Sequence, residues 1–534
     1  MSQEVEAAEI AGRQAGAPPR GLRGSPKWTL LAAALGVMMV GLDGTIVAVA
    51  NPDIQAKLGA SLADIQWITN GYLLALAVTL ITIGKIGDRF GHRKVFLTGI
   101  VGFAATSAGV GLSGSIGKSI SLIIAFRILQ GLFGAMLQPT ALALLRNTFP
   151  AEKLNGAIGI WGAVIGASTA AGPIVGGLLV QHINWEACFY INVPVGVVAL
   201  LMGLAALRET PPSHARSFDV PGIALLSGFL FLLVWGLIKA PDYGWGDGKS
   251  IGFFAGAVAA LVLFIVREST AREPLLPLRL FRSVSLSAGT VLVLCLMFAM
   301  FGAMFFMTFY LENVHGLDAI DTGVRLLPLT GMLIVGSPLS GFAITRFGAR
   351  IPMVIGMLLA AGALFGLSRI TTTSGLNETI VFFAMLGLGL SPVIVGATEV
   401  IVGNAEVELA GVASGLQSTA MQVGGTIGTA VLGAVMSAKV DNLLPQRWTA
   451  AHLPSLTSAQ LAEVKSAATV GVAPVTSSTS AQVAAGITEV THSTFISGMS
   501  ASFLVASFVA VGGALIALLA KSGGNSTEGA VSLH

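Results

Sequence analysis

Apolar and polar positions along this chain are sorted into long blocks, not into strand-like alternation or a narrow helical stripe. Runs long enough to cross a hydrocarbon layer (about 20 residues) fall at 28–50, 65–84, 95–113, 119–144, 155–180, 187–207, 219–238, 250–266, 286–311, 323–343, 351–368, 378–401, 411–436 and 494–520. The pattern predicts an all-α polytopic membrane protein of fourteen spans. The weakest blocks are 250–266, which is short, and the one opening at 411, which is rich in Ser, Thr and Gly.

One polar interruption returns. GKIGDRFGHRK at 84–94 reappears 257 residues later as GFAITRFGAR from Gly341. Gly84, Arg89, Phe90, Gly91 and Arg93 match Gly341, Arg346, Phe347, Gly348 and Arg350, while Thr345 stands where the first copy has Asp88. Basic turns are common wherever a chain re-enters the cytoplasm. Two glycines and three side chains in register nevertheless favour duplication, the mark of a transporter built from two related halves.

Composition agrees. The chain is 54% apolar and 10% charged, where a soluble protein carries about a quarter charged residues. Glycine at 67 of 534 residues suits close helix contact in lipid. Cys188 and Cys295 sit inside apolar runs with no partner spacing, which predicts small core residues and neither a disulfide nor a metal site. With the N-terminus inside, 19 of the 29 Lys and Arg fall on inner segments and 8 on outer ones, so both termini are expected in the cytoplasm.

The expected organisation is a tail at 1–27, a six-helix bundle at 28–207, a linker with two additional helices at 208–285, a second bundle at 286–520 and a tail at 521–534. Within the second bundle, 437–493 reads as an outer loop. Its first part is able to fold on the bundle, and GVAPVTSSTS from Gly471 reads as low in complexity and without fixed structure.

Taken in order, several motifs resemble the major facilitator superfamily, and specifically its fourteen-span drug:proton antiporter branch. LDGTIVAVANPDI (42–54) resembles the first-helix signature, WITNGY (67–72) the start of the second, and 84–94 the inner-loop motif. RILQG (127–131) resembles the fourth-helix motif, GAVIGASTAAGPIVGGLL (162–179) the antiporter motif, INVPVG (191–196) the sixth helix and GVASGLQSTAMQVGGTIG (411–428) the thirteenth. There are departures. The first-helix signature usually has Asn at the position of Ala48 and Leu at that of Asn51. Glu186, Ala187, Glu312 and Met421 also stand where the branch commonly has other residues.

The resemblance implies a plasma-membrane antiporter, driven by protons without a cofactor, exporting amphipathic compounds that are aromatic or cationic. No nucleic acid partner is expected, and the functional unit is expected to be a monomer among membrane lipids. The Ala- and Gly-heavy composition suggests a high-GC bacterium. A transporter of one defined metabolite, lipid or siderophore is the nearest rival, a receptor-like or structural membrane protein a distant one, and no loop gathers the groups of an enzyme.

Charged residues inside spans are the candidate chemistry, because an isolated charge there costs several kcal/mol. Asp43 and Arg127 both lie roughly 12 Å below the outer end of their helices at 1.5 Å per residue. They read either as proton carrier and charge partner or as a structural ion pair. Glu399 and Glu312 are further coupling candidates, although Glu312, Asp318, Asp321 and Arg325 also read as an outer salt-bridged rim. Asp88, Arg89, Gly91 and Arg93 are expected to form a conformational latch against a helix end of the opposite bundle. Gly162, Gly166, Gly172, Pro173, Gly176 and Gly177 are expected to form a hinge or seal between bundles. Tyr72, Gln138, Trp161, Asn192, Met304, Phe305, Tyr310 and Gln417 are candidates for lining a substrate cavity.

Overall fold

A computed structural model describes residues 23–114, 119–209, 219–271, 274–403, 410–475 and 479–520. Among these residues the secondary structure is helical. Helix α1 (Pro26–Leu58) starts on a proline, which has no N–H to lose in the first turn, and ends on Gly59 in the left-handed conformation. Then follow α2 (Leu62–Phe90), α3 (His92–Leu112), the pair α4 (Ile120–Ala135) and α5 (Leu137–Thr148), α6 (Ala151–His182), the single turn α7 (Ala187–Tyr190) and α8 (Asn192–Ala206). The inserted pair is α9 (Val220–Tyr243) and α10 (Gly248–Thr270). The second half runs through α11 (Val284–Phe309), α12 (Ala319–Phe347), α13 (Arg350–Leu367), α14 (Leu376–Gly403), α15 (Ala410–Ala450), α16 (Ser458–Thr469) and α17 (Ala481–Ala517).

Twelve helical segments among the described residues are long and apolar enough to cross a membrane. Two further long helices, α2 with 29 residues and α6 with 32, include positions outside the description.

The repeat seen in the sequence is a repeat of conformation. Helices α2 and α12 both end at a glycine with positive φ, 93° at Gly91 and 73° at Gly348. Each glycine N–H donates at 2.8 Å to the carbonyl four residues back, Gly87 O and Ile344 O. The Arg89 guanidinium lies 5.7 Å from the Phe90 ring and that of Arg346 lies 5.8 Å from the Phe347 ring. A side chain at either glycine would be held in a backbone region that only glycine occupies freely, so both copies keep it.

The halves meet along two helix pairs. Where α2 faces α15, Gln66 Nε2 donates to Thr429 O at 2.8 Å and Thr429 Oγ1 to Asn70 Oδ1 at 2.5 Å. Where the end of α6 crosses the start of α12, a Cβ on Gly177 would collide with the Ala319 carbonyl, and one on Gly323 with the Pro173 carbonyl. Each helix therefore supplies the glycine that accepts the other's backbone. Gln181 Nε2 donates to Asp318 Oδ2 at 2.9 Å beside the crossing. Helix α6 continues as one helix through Pro173.

The inserted pair lies over the groove between the halves. Leu230, Val234 and Ile238 of α9 pack with Trp67 and Leu74 of α2 and Ala430 of α15. Trp67 meets Trp235 at 5.4 Å between ring centroids. The faces of α10 that carry Ile251, Val258 and Val262 are exposed, as a lipid-facing helix requires.

The segment 437–493, read as a loop, is largely helical. Helix α15 runs on to Ala450, α16 stands separately, and α17 begins at Ala481. Its polar residues are used in contacts: Asp441 pairs with Lys465 at 2.8 Å, Arg447 donates to Ser497 at 2.9 Å, and Trp448 Nε1 to Pro454 O at 2.8 Å. Thr457 and Gln460 form a reciprocal cap on α16, which fixes its start. The start of GVAPVTSSTS is also placed, with Gly471 against Val314 and Phe495 and the preceding Val470 O accepting from Asn313 Nδ2 at 2.7 Å; residues 476–478 lie outside the description.

Candidate functional site

Asp43 sits in the middle of α1, is 0% exposed, and is surrounded by donors from two other helices. Arg127 of α4 donates through Nη1 to Asp43 Oδ2 at 2.6 Å. Gln130, one turn further along α4, donates through Nε2 to Oδ1 at 2.8 Å, and Asn192 at the start of α8 reaches the same oxygen at 3.2 Å. Asn192 is itself held by Ser107 at 2.9 Å, whose hydroxyl donates to Phe189 O at 2.8 Å. A buried charge pair is costly to assemble and more costly to break. This one is satisfied on both carboxylate oxygens.

Arg127 has other partners as well. Its Nε donates to Ile68 O at 3.1 Å and its Nη1 to Gln130 Oε1 at 2.8 Å. The guanidinium carbon lies 4.2 Å from the Tyr72 ring centroid and 5.5 Å from that of Phe189, where ring quadrupoles attract a cation. Neutralising Asp43 would thus leave Arg127 with two carbonyl acceptors and two ring faces. Close approach of α4 to α2 is what permits this, since a Cβ on Gly131 would strike the Tyr72 carbonyl.

Beside the pair, a cavity of about 20 Å³ lies between the halves, enough for a single water. The first half contributes Gly44, Asn51, Thr69, Tyr72 and Arg127 to its lining, and the second contributes Phe301, Met304, Phe305 and Thr429.

The expected site residues separate into groups. Asp43, Arg127 and Asn192 come together, with Asn192 on the carboxylate and not on the cavity wall. Tyr72, Met304 and Phe305 line the cavity. Tyr310 is buried elsewhere and donates to Thr371 O at 2.9 Å. Gln417 donates to Thr398 at 2.6 Å beside the half-buried Glu399, and Gln138 and Trp161 are half-buried. The salt-bridged rim does not form: Glu312 Oε1 and Arg325 Nη1 have no hydrogen-bond partner. Asp318 is instead turned to cap α12, accepting from Asp321 N at 2.8 Å and from Gln181, and Glu312 is carried in a π-helical turn, Tyr310–Val314.

Of the expected latch, the side chain of Asp88 lies outside the described residues. Arg93 reaches the last helix of its own half, donating to Leu204 O at 3.2 Å with Glu209 at 3.9 Å. Among the hinge glycines, Gly172 and Gly176 pack on Thr45 and Ile46 of α1, and Gly177 on α12. Gly162 and Gly166 lie outside the described positions.

Gln130, Ser107, Thr69 and Asn51 belong to the site without having been singled out as site residues. Gln130 had a signal, since it stands three residues after Arg127 and so on the same helix face. Ser107 had none, because its role is set by the position of Phe189.

Two related helical halves meeting around a cavity, with a buried charge network beside it in the first half, define a membrane transporter. The chain belongs to the Major Facilitator Superfamily, whose family model matches residues 33–429. It is 59% identical over 505 residues, 94% of this chain and 93% of the relative, to a tetracenomycin C resistance and export protein of Streptomyces glaucescens. It is 34% identical over 412 residues, covering 77% of this chain and 76% of the relative, to the multidrug resistance protein Stp of Mycobacterium tuberculosis. In fold it is similar to a bacterial homologue of the human lysosomal transporter Spinster in an inward-facing, unoccupied conformation. That match has a TM-score of 0.63 at 17% identity and covers 94% of this chain and 99% of the other.

Proposed function

We propose that this protein is a secondary active antiporter that exports amphipathic, antibiotic-like small molecules across the bacterial plasma membrane in exchange for protons. The observation that carries the reading is the double provision around Arg127. Asp43 is buried and fully bonded as an anion, yet Arg127 keeps Ile68 O, Gln130 Oε1 and two ring faces when that anion is neutralised. A purely structural pair has no need of the second set. One relative named for tetracenomycin C resistance and export and another named for multidrug resistance support the same reading.

In this scheme α2 and α6 join the twelve other segments as spans, giving fourteen, with both termini cytoplasmic and bundles at 28–207 and 286–520. The crossing of α6 on α12 then closes the outer end. Protons from outside reach Asp43 when that end parts, and rocking of the halves delivers them inside. Asp88 is proposed to latch the inner turn against the opposite half, and Glu399 and Glu312 remain the candidates for a second coupled proton.

Proteoliposomes under an imposed pH gradient test the reading with a panel of cationic, neutral and anionic compounds. The wild type moves substrate against its gradient, and Asp43→Asn folds but loses that driven movement. An Asn variant with full proton coupling would move the proton role away from Asp43. Movement of only one compound class with a narrow range would favour a transporter of one defined metabolite, lipid or siderophore.

A further inference from the structure

The cavity between the halves carries more polarity than its neighbours satisfy. Asn51 Oδ1, Thr69 Oγ1 and Tyr72 Oη are all buried without a hydrogen-bond partner, and all three residues line this one space. Burying a polar group without a partner is costly, so three around a single cavity mark a place where a guest supplies the partners. Asn51 is one of the two positions, with Ala48, at which the first-helix motif departs from the residue its family usually carries.

The unpaired polar groups all belong to the first half, beside Val47, Ala48 and Leu73, and the aromatic and thioether groups to the second, beside Thr429. Thr69 and Tyr72 are three residues apart on α2 and share a face, with Asn51 on the adjoining α1. Across from them, Phe301, Met304 and Phe305 occupy i, i+3 and i+4 of α11. An aromatic and thioether wall facing a strip of one amide carbonyl and two hydroxyls fits a flat ring system with hydroxyl or carbonyl groups along one edge. Among the described lining residues the one charged side chain is Arg127. Its positive charge opposes a cationic guest, and the Asp43 carboxylate that could attract one is already taken by Arg127, Gln130 and Asn192.

We infer that this site selects uncharged or phenolic polycyclic aromatic compounds over cations, and that Asn51 and Tyr72 read the hydroxyl-bearing edge. The inference rests on the export reading for its physiological sense and narrows the substrate class expected from sequence, which included cations. The present cavity admits a water and not such a guest, and it lies between halves whose separation enlarges it.

Equilibrium binding to the purified full-length protein, with no proton gradient, tests the inference separately from coupling. The probes are 2,3-dihydroxyanthraquinone, whose hydroxyls lie on one edge clear of the ring carbonyls, unsubstituted anthraquinone and the cation ethidium. The wild type is expected to prefer the dihydroxy compound over the unsubstituted one by about tenfold, as one or two added hydrogen bonds allow, and to bind ethidium more weakly than either. Asn51→Leu and Tyr72→Phe should each bring the ratio of the two quinone affinities towards one, the second variant standing in if the first fails to fold. An unchanged ratio in a folded variant, or tighter binding of ethidium by the wild type, overturns the assignment. Loss of driven transport with the binding ratio intact would instead count against proton coupling alone.

Discussion

Gln130 donates to Asp43 Oδ1 at 2.8 Å from one helical turn beyond Arg127, so a single face of α4 grips both oxygens of one buried carboxylate. The geometry divides the labour between a charged donor on Oδ2 and neutral amides on Oδ1.

That division makes the two oxygens unequal in their response to mutation. Gln130→Leu removes a bond to a charged acceptor, worth about 1.5–3 kcal/mol, but Asn192 remains on Oδ1. Gln130→Leu combined with Asn192→Leu strips the oxygen of both donors. The double variant should therefore lose more thermal stability than the sum of the single ones, as read by melting of the purified proteins.

Arg127→Ala and Asp43→Asn should not be equivalent. The first strands a carboxylate in a closed site, which typically costs about 3–5 kcal/mol. The second leaves a cation that still has carbonyl and ring partners. Expression yield and melting temperature should fall steeply for Arg127→Ala and little for Asp43→Asn. Equal losses would show that the alternative partners of Arg127 carry no weight.

The duplicated turn offers a matched pair. Gly91→Ala and Gly348→Ala each place a side chain at positive φ and should each cost about 1–3 kcal/mol. Melting temperatures should fall by similar amounts for the two variants if the halves have kept the same turn for the same backbone reason.

Orientation is open to chemical labelling. With Cys188 and Cys295 replaced, single cysteines at the exposed positions Trp245 and Ser458 should react with an impermeant thiol reagent in intact cells. Cysteines at Phe90 and Phe347, also exposed, should react after the cells are opened. Reaction at Phe90 in intact cells would reverse the topology.

The succession of apolar blocks displayed the helices, and the repeat of Gly91 at Gly348 displayed the two halves, because both depend on local composition and backbone conformation. The pair of Asp43 and Arg127 was legible because charge is rare in apolar runs. The polar segment 437–493 was not: its helices are stabilised by contacts such as Asp441 with Lys465 and Arg447 with Ser497, which hydropathy does not register. Nor could hydropathy place Asn192 on the carboxylate and Tyr72 on the cavity, since both are polar residues in spans and only the packing of α8 and α2 distinguishes them. Asn51 stood out as a departure from a motif, but its meaning depended on finding Thr69 and Tyr72 beside it.

The exchange of glycines at the crossing of α6 and α12 has a consequence for movement. Ordinary helix packing interlocks side chains like gear teeth, and sliding one surface over the other requires every tooth to disengage. At Gly177 and Gly323 the teeth are missing on both sides and smooth backbone rests on smooth backbone. In the proposed rocking of the halves, such a contact would serve as a plain bearing, backbone close on backbone and free to turn without repacking.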